Sequence, residues 1–261
     1  MTAFPNDGKS RVAASSRYPA NIRQVAAALA GRYADFDHYN RQDPLDELLF
    51  IICSTKTAET SYRATFDQLK AAFPTPHDLA EAPAEYIAKP LAAGGLSGKK
   101  SRSIRALLDA ITARFGAPTL EPLRDMNDRD AEAFLTTLPN VGKKVARCVL
   151  LYALGRPVFP VDTHCWRIAR RLGWVRPTQK DGRCVPRDAD RLQAKIPPEL
   201  RFSLHVNLIS LGREICTAGK PNCAACPISS WCRRIGIDGR AARRTASSRE
   251  GVDTASGKLT D

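Results

Sequence analysis

The sequence has no apolar run approaching the ~18 residues of a membrane-spanning helix, which leaves no candidate for a membrane span. Its first twenty residues, MTAFPNDGKSRVAASSRYPA, lack the apolar centre of a secretory signal. The expectation is therefore a cytoplasmic protein, nucleoid-associated if its host is bacterial. No stretch sustains the two-residue alternation of a half-buried strand, so a sheet is not expected. Acidic residues are in deficit, with 27 Asp and Glu against 40 Lys and Arg, a net charge of +13 and a pI near 9.6. Such an excess suits a polyanionic partner, because neutralising phosphates releases counterions. Nucleic acid is the first choice, and an acidic membrane or protein surface is the remainder.

What is present is helical periodicity in a chain of 261 residues, long enough for one large or two modest cores. Residues 1–20 read as a flexible arm. Asn21 is placed to cap a helix carrying Ile22, Val25, Leu29 and Tyr33 on one face. Asp43-Pro44 is a second helix start, leading Leu45, Leu48, Leu49 and Ile52, and Thr57 to Phe73 repeats the pattern. Short pieces broken by Pro83 and Pro90 lead to a turn rich in glycine and lysine, Gly94 to Lys100. From it runs a helix with Ile104, Leu107, Leu108, Ile111 and Phe115, closed by Gly116 and Pro118. A helix from Asn127 or Asp128 carries Phe134, Leu135 and Leu138, and two more run from Asp188 to Ile196 and from Glu199 to Ile215. The fold class is all-α. From Ile235 the chain loses apolar residues and reads as a disordered basic tail.

Eight cysteines in such a chain raise the question of disulfides. Clustering argues for metal: Cys216, Cys223, Cys226 and Cys232 follow C-x6-C-x2-C-x5-C, with Gly219, Pro221 and Pro227 to turn the chain. Four thiolates suit both zinc and a 4Fe–4S cluster. Zinc commonly uses paired C-x2-C knuckles, and the single pair here tilts the choice to iron–sulfur. Cys53 and Cys148 lie in apolar helical runs and read as core, while Cys165 and Cys184 have no evident partner.

The stretch Leu138 to Trp174 carries the remaining chemistry. Leu138-Pro139-Asn140-Val141-Gly142 joins two apolar helices by a tight turn in which Gly142 takes positive φ freely and Asn140 tolerates it. Such a turn leaves backbone N–H groups free at the next helix start, where a phosphate can be held. Lys144 lies in the first turn of that helix. The helix's positive end and Lys143 should both disfavour its ammonium, leaving a neutral fraction able to act as a nucleophile. Asp162 is placed to cap the helix from Thr163, and a carboxylate fixed there can stabilise positive charge on a sugar ring or help activate the amine.

These motifs resemble the endonuclease III family of helix–hairpin–helix DNA glycosylases. That family has a hairpin of type LPGVGxK, then VDTH, then the four-cysteine pattern. Here they stand as LPNVGKK at Leu138–Lys144, VDTH at Val161–His164 and the cysteines at Cys216–Cys232. The resemblance runs from about Asp43 to Cys232. It implies a bilobed fold: a six-helix domain at 43–156, and a cluster domain at 157–234 against which the N-terminal helix, within 21–42, packs. The arm is then 1–20 and the tail 235–261. It also implies a 4Fe–4S cluster on Cys216, Cys223, Cys226 and Cys232, zinc being the lesser choice. The partner is double-stranded DNA with damaged bases or abasic sites, bound by a monomer, with no membrane.

By the same resemblance Lys144 is the Schiff-base nucleophile and Asp162 the catalytic carboxylate of a bifunctional glycosylase and AP lyase for oxidised pyrimidines. The lysine argues against the related adenine glycosylases. Candidate DNA contacts are Lys56, Gly98, Lys99, Lys100, Asn140, Val141, Gly142, Lys143, His164 and Arg167, with Arg170 and Arg171 beside them. Two positions depart from the family: Lys56 stands where a glutamine commonly fills the gap left by the flipped base, and Asn140 stands for glycine. FPVDTHCWRIARRLGWV is also loosely similar to plant 5-methylcytosine glycosylases. Altered base choice, or mainly abasic-site cleavage, is the alternative activity. A non-catalytic DNA-binding iron–sulfur protein is the alternative of a different class.

Overall fold

The structure is a computed structural model that describes residues 17–33, 40–57 and 59–237. Among the described residues all regular structure is helical: α1 (Ile22–Arg32), α2 (Pro44–Ser54), α3 (Glu59–Ala72), α4 (Pro76–Glu81), α5 (Ala84–Ala88), α6 (Ser97–Phe115), α7 (Asp128–Thr137), α8 (Lys143–Tyr152), α9 (Thr163–Leu172), α10 (Pro186–Gln193) and α11 (Arg201–Glu214), with short 3-10 turns between. None is long and apolar enough to cross a membrane. Several starts follow from single side chains. Asp43 accepts from the Asp46 N–H at 2.8 Å with Pro44 behind it, and Asn127 accepts from the Asp130 N–H at 2.9 Å. Gly116, at φ 77°, closes α6 by donating its N–H to Thr112 at 2.8 Å.

Two apolar cores divide the chain. The first gathers Leu45, Leu48 and Leu49 of α2 with Phe66, Leu69, Ile104, Leu107, Leu108, Ile111, Leu135, Val149 and Leu150, all essentially buried. Each such side chain contributes roughly 1.5–3 kcal/mol relative to exposure. α2 lies against α3, α6 and α8, so the hairpin is fastened through α8 to the middle of this core. Phe50 adds edge-on contacts to Tyr62 and Phe66, at 5.2 and 5.4 Å between ring centres.

The second core begins where the first ends, between Val158 and Phe159. It joins Ile22, Val25 and Leu29 of α1 to Trp166, Ile168 and Leu172 of α9 and Leu204, Leu208 and Leu211 of α11. Asn21 differs from its expected role: its side chain makes no cap bond to α1. Its amide bridges instead, accepting from Trp174 Nε1 at 2.9 Å and donating to the Trp231 carbonyl at 3.2 Å. Residues 17–20, read as part of an arm, pack on this core too, with Tyr18 against it and Arg17 donating to the Ala194 carbonyl at 3.2 Å. The rest of the arm and residues 238–261 of the tail lie outside the described residues.

Between the cores stands an ion network. Arg147, 2% exposed, donates to Glu132 at 2.6 Å and to Asp190 of α10. Lys143 meets the same two carboxylates, at 3.2 Å and 2.8 Å. Burial works to raise the Asp190 pKa, but the hydrogen bonds from Lys143 and Arg147 leave it below the ordinary carboxylate value.

Candidate active site

The hairpin turn is built as its residues suggest, with one exchange of roles. Asn140 takes the left-handed conformation at φ 62°, and its amide is fixed by donating to Ser103 Oγ at 2.9 Å. Gly142 does not take positive φ; at φ −89°, ψ 172° it is extended, the geometry of a residue preceding a helix. A Cβ on Gly142 would meet no protein atom within 4 Å. Val141 points into the first core and its N–H is used within the turn, on the Leu138 carbonyl at 3.1 Å, so it shapes the turn and offers no free donor. No side chain caps α8, and its first N–H groups are left for an external acceptor.

Lys144, second residue of α8, is exposed as a residue, while its amine end is enclosed by the wall of a cavity of about 140 Å³, well beyond the volume one water needs. The same cavity is lined by Asn40, Glu47, Phe50, Tyr62, Tyr152 and Arg213, among others. Asp162 caps α9 as expected, accepting from the Cys165 N–H at 2.7 Å. The Lys144 pKa is raised, contrary to the expectation from the helix end and Lys143. The Cys148 sulfur, one turn along α8, is the largest influence; burial opposes it, and the Asp162 carboxylate adds to the rise. Burial pushes the Cys148 thiol itself up to about 11, so it is protonated at neutral pH and Asp162 supplies the formal charge there. The amine therefore rests as ammonium and must pass on a proton before it can attack.

The expected DNA contacts separate into two groups. Lys56 and Lys99 are exposed and, with Asn140, Leu96 and Val145, line a second hollow of about 230 Å³. It lies across α2 and α8 from the first: Ile51 lines both, and Lys144 and Val145 are adjacent in sequence. Lys56 at φ 53°, Leu96 at φ 54° and Asn140 at φ 62° all reach this hollow from left-handed backbone, which non-glycine residues rarely adopt. Gly98 lies inside α6, just before Lys99.

The others are engaged by the protein's own oxygens and ring nitrogens. Lys100 is 5% exposed and donates to the Cys53 and Gly94 carbonyls and to Thr57 Oγ1, at 2.9, 3.1 and 2.6 Å. Lys143 is held by Glu132 and Asp190. Arg167 donates to the carbonyls of Cys216 and Gly212 at 3.0 and 2.9 Å and meets His164 Nδ1 at 3.0 Å. His164 in turn packs where any Cβ on Gly212 would stand, at 2.5 Å, so α11 needs a glycine there. Arg170 donates to the Gly182 carbonyl at 3.0 Å.

Arg171 belongs to the cysteine loop. It is 7% exposed and donates to the carbonyls of Cys216, Thr217 and Ala218 and to Cys216 Sγ at 3.0 Å. Cys216, Cys223, Cys226 and Cys232 line one small cavity with Ile168, Ile215 and Ile228. Among the described residues no three Cys, His, Asp or Glu side chains close around one point as a single ion requires. Four thiols about one shared hollow are the number and kind of ligand that a 4Fe–4S cluster takes, one per iron. Burial raises the Cys226 and Cys232 pKa values, so ligation must displace their protons. A metal centre held by Cys216, Cys223, Cys226 and Cys232 would tie this loop to the second core.

Sequence reasoning missed Glu47 and Asn40. Glu47 is completely buried, with Oε1 accepting from Asn40 Nδ2 at 2.7 Å and Oε2 from the Arg41 N–H at 2.8 Å. Burial pushes its pKa up to about 7, against those two bonds and the Lys144 charge. The available signal was a carboxylate within PLDELLFIIC, one turn before Ile51 on the inward side. Cys165, for which no partner was evident, lies buried 3.5 Å from His205 Nδ1.

Fold and site together define a helix–hairpin–helix protein with a lysine and a carboxylate at consecutive helix starts and a cysteine-bound cluster. Residues 51–190 match the HhH-GPD superfamily of base excision DNA repair proteins, and residues 216–232 match the iron–sulfur binding domain of endonuclease III. The chain belongs to this HhH-GPD superfamily, and its four clustered cysteines are the ligand set of a 4Fe–4S cluster. It is 36% identical over 186 residues to a putative DNA glycosylase of Arabidopsis thaliana, covering 69% of this chain and 60% of that protein. It is 31% identical over 217 residues to endonuclease III of Bacillus subtilis, covering 82% and 93%. Against plant relatives it is the shorter chain, spanning only 12% of the DNA glycosylase/AP lyase ROS1 of Arabidopsis thaliana. The solved structure of a non-covalent endonuclease III–DNA complex superposes with a TM-score of 0.69 at 26% identity, over 85% of this chain and 97% of that one.

Proposed function

We propose that this protein is a bifunctional DNA glycosylase and AP lyase that removes oxidised pyrimidines from double-stranded DNA, working as a monomer in the cytoplasm. One observation carries the reading: Lys144 stands on the wall of a cavity, and the Asp162 carboxylate at the start of the next helix lies close enough to add to the rise of its pKa. A binding protein requires neither group.

The damaged nucleotide is flipped out of the duplex, since its anomeric carbon is unreachable within the stack. The uncapped start of α8 and the bare Gly142 hold a phosphate beside it, and Lys56 and Lys99 face the strand from the second hollow. Lys144 gives up a proton to solvent, and its amine attacks the anomeric carbon as the base departs with the bond's electron pair and takes up a proton from solvent. Asp162 stabilises the positive charge that develops on the sugar. The adduct nitrogen passes a proton to the ring oxygen as the C1′–O4′ bond breaks, and the protonated imine so formed acidifies the adjacent C2′ proton, whose loss expels the 3′ phosphate by β-elimination.

Borohydride reduction of the imine on single-lesion duplexes tests this. Wild-type protein should form a covalent adduct and Lys144→Ala none. An adduct persisting in Lys144→Ala would remove Lys144 as nucleophile and direct attention to Lys56. Absence of adduct and cleavage with every lesion and with abasic sites would point to a non-catalytic DNA-binding protein.

A further inference from the structure

Glu47 is an expensive residue for its position. A fully buried carboxylate with no cation in contact costs several kcal/mol, and Asp43 already caps α2. Its two bonds, to the Asn40 amide and the Arg41 N–H, fix the segment that enters α2. Both Glu47 and Asn40 line the Lys144 cavity.

The chemistry of the pair sets what the cavity displays. Glu47 Oε1 accepts from Asn40 at 2.7 Å, so Nδ2 is the end of the amide turned toward the carboxyl group. The Asn40 Oδ1 is then directed elsewhere, and among the described residues no donor meets it. Around the same space stand the flat rings of Phe50 and Tyr62, the apolar Ile51 and Ile209, and, on the α8 wall, the Lys144 amine. A planar ligand that reaches Lys144 through its sugar therefore meets one oriented acceptor.

We propose that Asn40 reads the displaced base, its Oδ1 accepting a hydrogen bond from an N–H on the base's pairing edge, and that Glu47 is the positioning residue that holds the amide in that sense. The N3–H of an oxidised thymine or uracil is such a donor. This rests on the Lys144 reading above and extends it to the base. Replacing Glu47 by glutamine keeps the shape and the acceptor for Arg41, but offers Asn40 an N–H. The amide then turns over, and the cavity shows a donor where it showed an acceptor. Groups that share the surroundings of Glu47 are Arg41 before α2, Arg63 of α3, Lys144, Cys148 and Tyr152 of α8, and His205 and Arg213 of α11.

The test compares single-turnover release of thymine glycol from a duplex with borohydride trapping on a duplex holding one abasic site, which has no base to read. The ratio of the two rates cancels any loss of folded protein. Asn40→Ala and Glu47→Gln should each lower that ratio about tenfold, the equivalent of one hydrogen bond, and the double variant should lower it no further. An unchanged ratio in either single variant overturns the proposal, as does additivity in the double variant, since Glu47 would then not act through Asn40. A wild-type protein that fails to trap the abasic duplex refutes the Lys144 reading instead.

Discussion

The tripeptide Gly-Lys-Lys occurs twice, as Gly98-Lys99-Lys100 and Gly142-Lys143-Lys144, each time at a helix start. The copies have opposite fates. In the first, glycine is the second residue of α6, so Lys100 falls one turn in and faces the core, where three neutral oxygens take its ammonium. Burial lowers its pKa, and no carboxylate compensates. In the second, glycine precedes α8, so Lys144 falls within the first turn and faces a cavity, where a sulfur and a carboxylate raise its pKa. A shift of two positions relative to the helix start separates a lysine that holds the fold from one placed to react. Register against the helix end decides it.

That contrast is broken most decisively at Lys144. Lys144→Ala should abolish borohydride trapping and lower strand cleavage by about a thousandfold or more, as loss of a covalent nucleophile does, while leaving the melting temperature close to wild type because the residue is exposed. Lys100→Met should do the reverse. It leaves the Cys53 carbonyl without the donor it has in the protein, at a cost of about 1–3 kcal/mol before relaxation, while the Gly94 carbonyl keeps the Thr57 hydroxyl at 2.7 Å. Thermal melting should fall by several degrees, and trapping per folded molecule should stay near wild type. If Lys100→Met abolishes trapping at full stability, the separation of roles fails.

Glu47 sharpens the comparison from the acidic side, as a buried charge kept for the cavity. Its folded pKa of about 7 lies above the ordinary value, so the folded chain binds a proton that the unfolded chain has lost between about 4.5 and 7. The associated stability is fully present below about 4.5 and is withdrawn as pH rises through 7, on the order of 3 kcal/mol in all. Glu47→Gln carries no such dependence. Its melting temperature should match wild type near pH 5 and exceed it by several degrees at pH 8. Equal melting curves at both values would show that Glu47 is no burden to the fold.

How much of this could be read in advance follows the same division. Helices were visible through period and punctuation: Asp43-Pro44, Asn127 and Gly116 act locally, as their chemistry requires. The four cysteines, Lys144 and Asp162 were visible because short spacing carries their chemistry. Charged groups whose role depends on distant partners were not. Lys100 finds Cys53 and Gly94, Arg167 and Arg171 find the carbonyls around Cys216, and Lys143 finds Asp190. Each looks in sequence like a solvated cation near DNA. Asn21 looked like a cap because the two tryptophans that claim it are 153 and 210 residues away.

The smallest effect on stability should come at Gly142, where it also says most about the second tripeptide. The backbone there is extended, not left-handed, and an added Cβ would meet open space. Nothing in the protein asks for glycine. Gly142→Ala should therefore change stability by no more than about 0.5 kcal/mol. If a phosphate rests on the free N–H groups at the start of α8, however, a methyl group stands in its path. Affinity for an abasic-site duplex should drop several-fold, with the largest loss at low salt, where the phosphate contact contributes most. The matching change in the first tripeptide, Gly98→Ala inside α6, has only the tip of Arg102 nearby and should leave DNA affinity where it was. Equal loss in both variants would mean that the two glycine turns meet DNA alike, and that the difference between them ends at their second lysines.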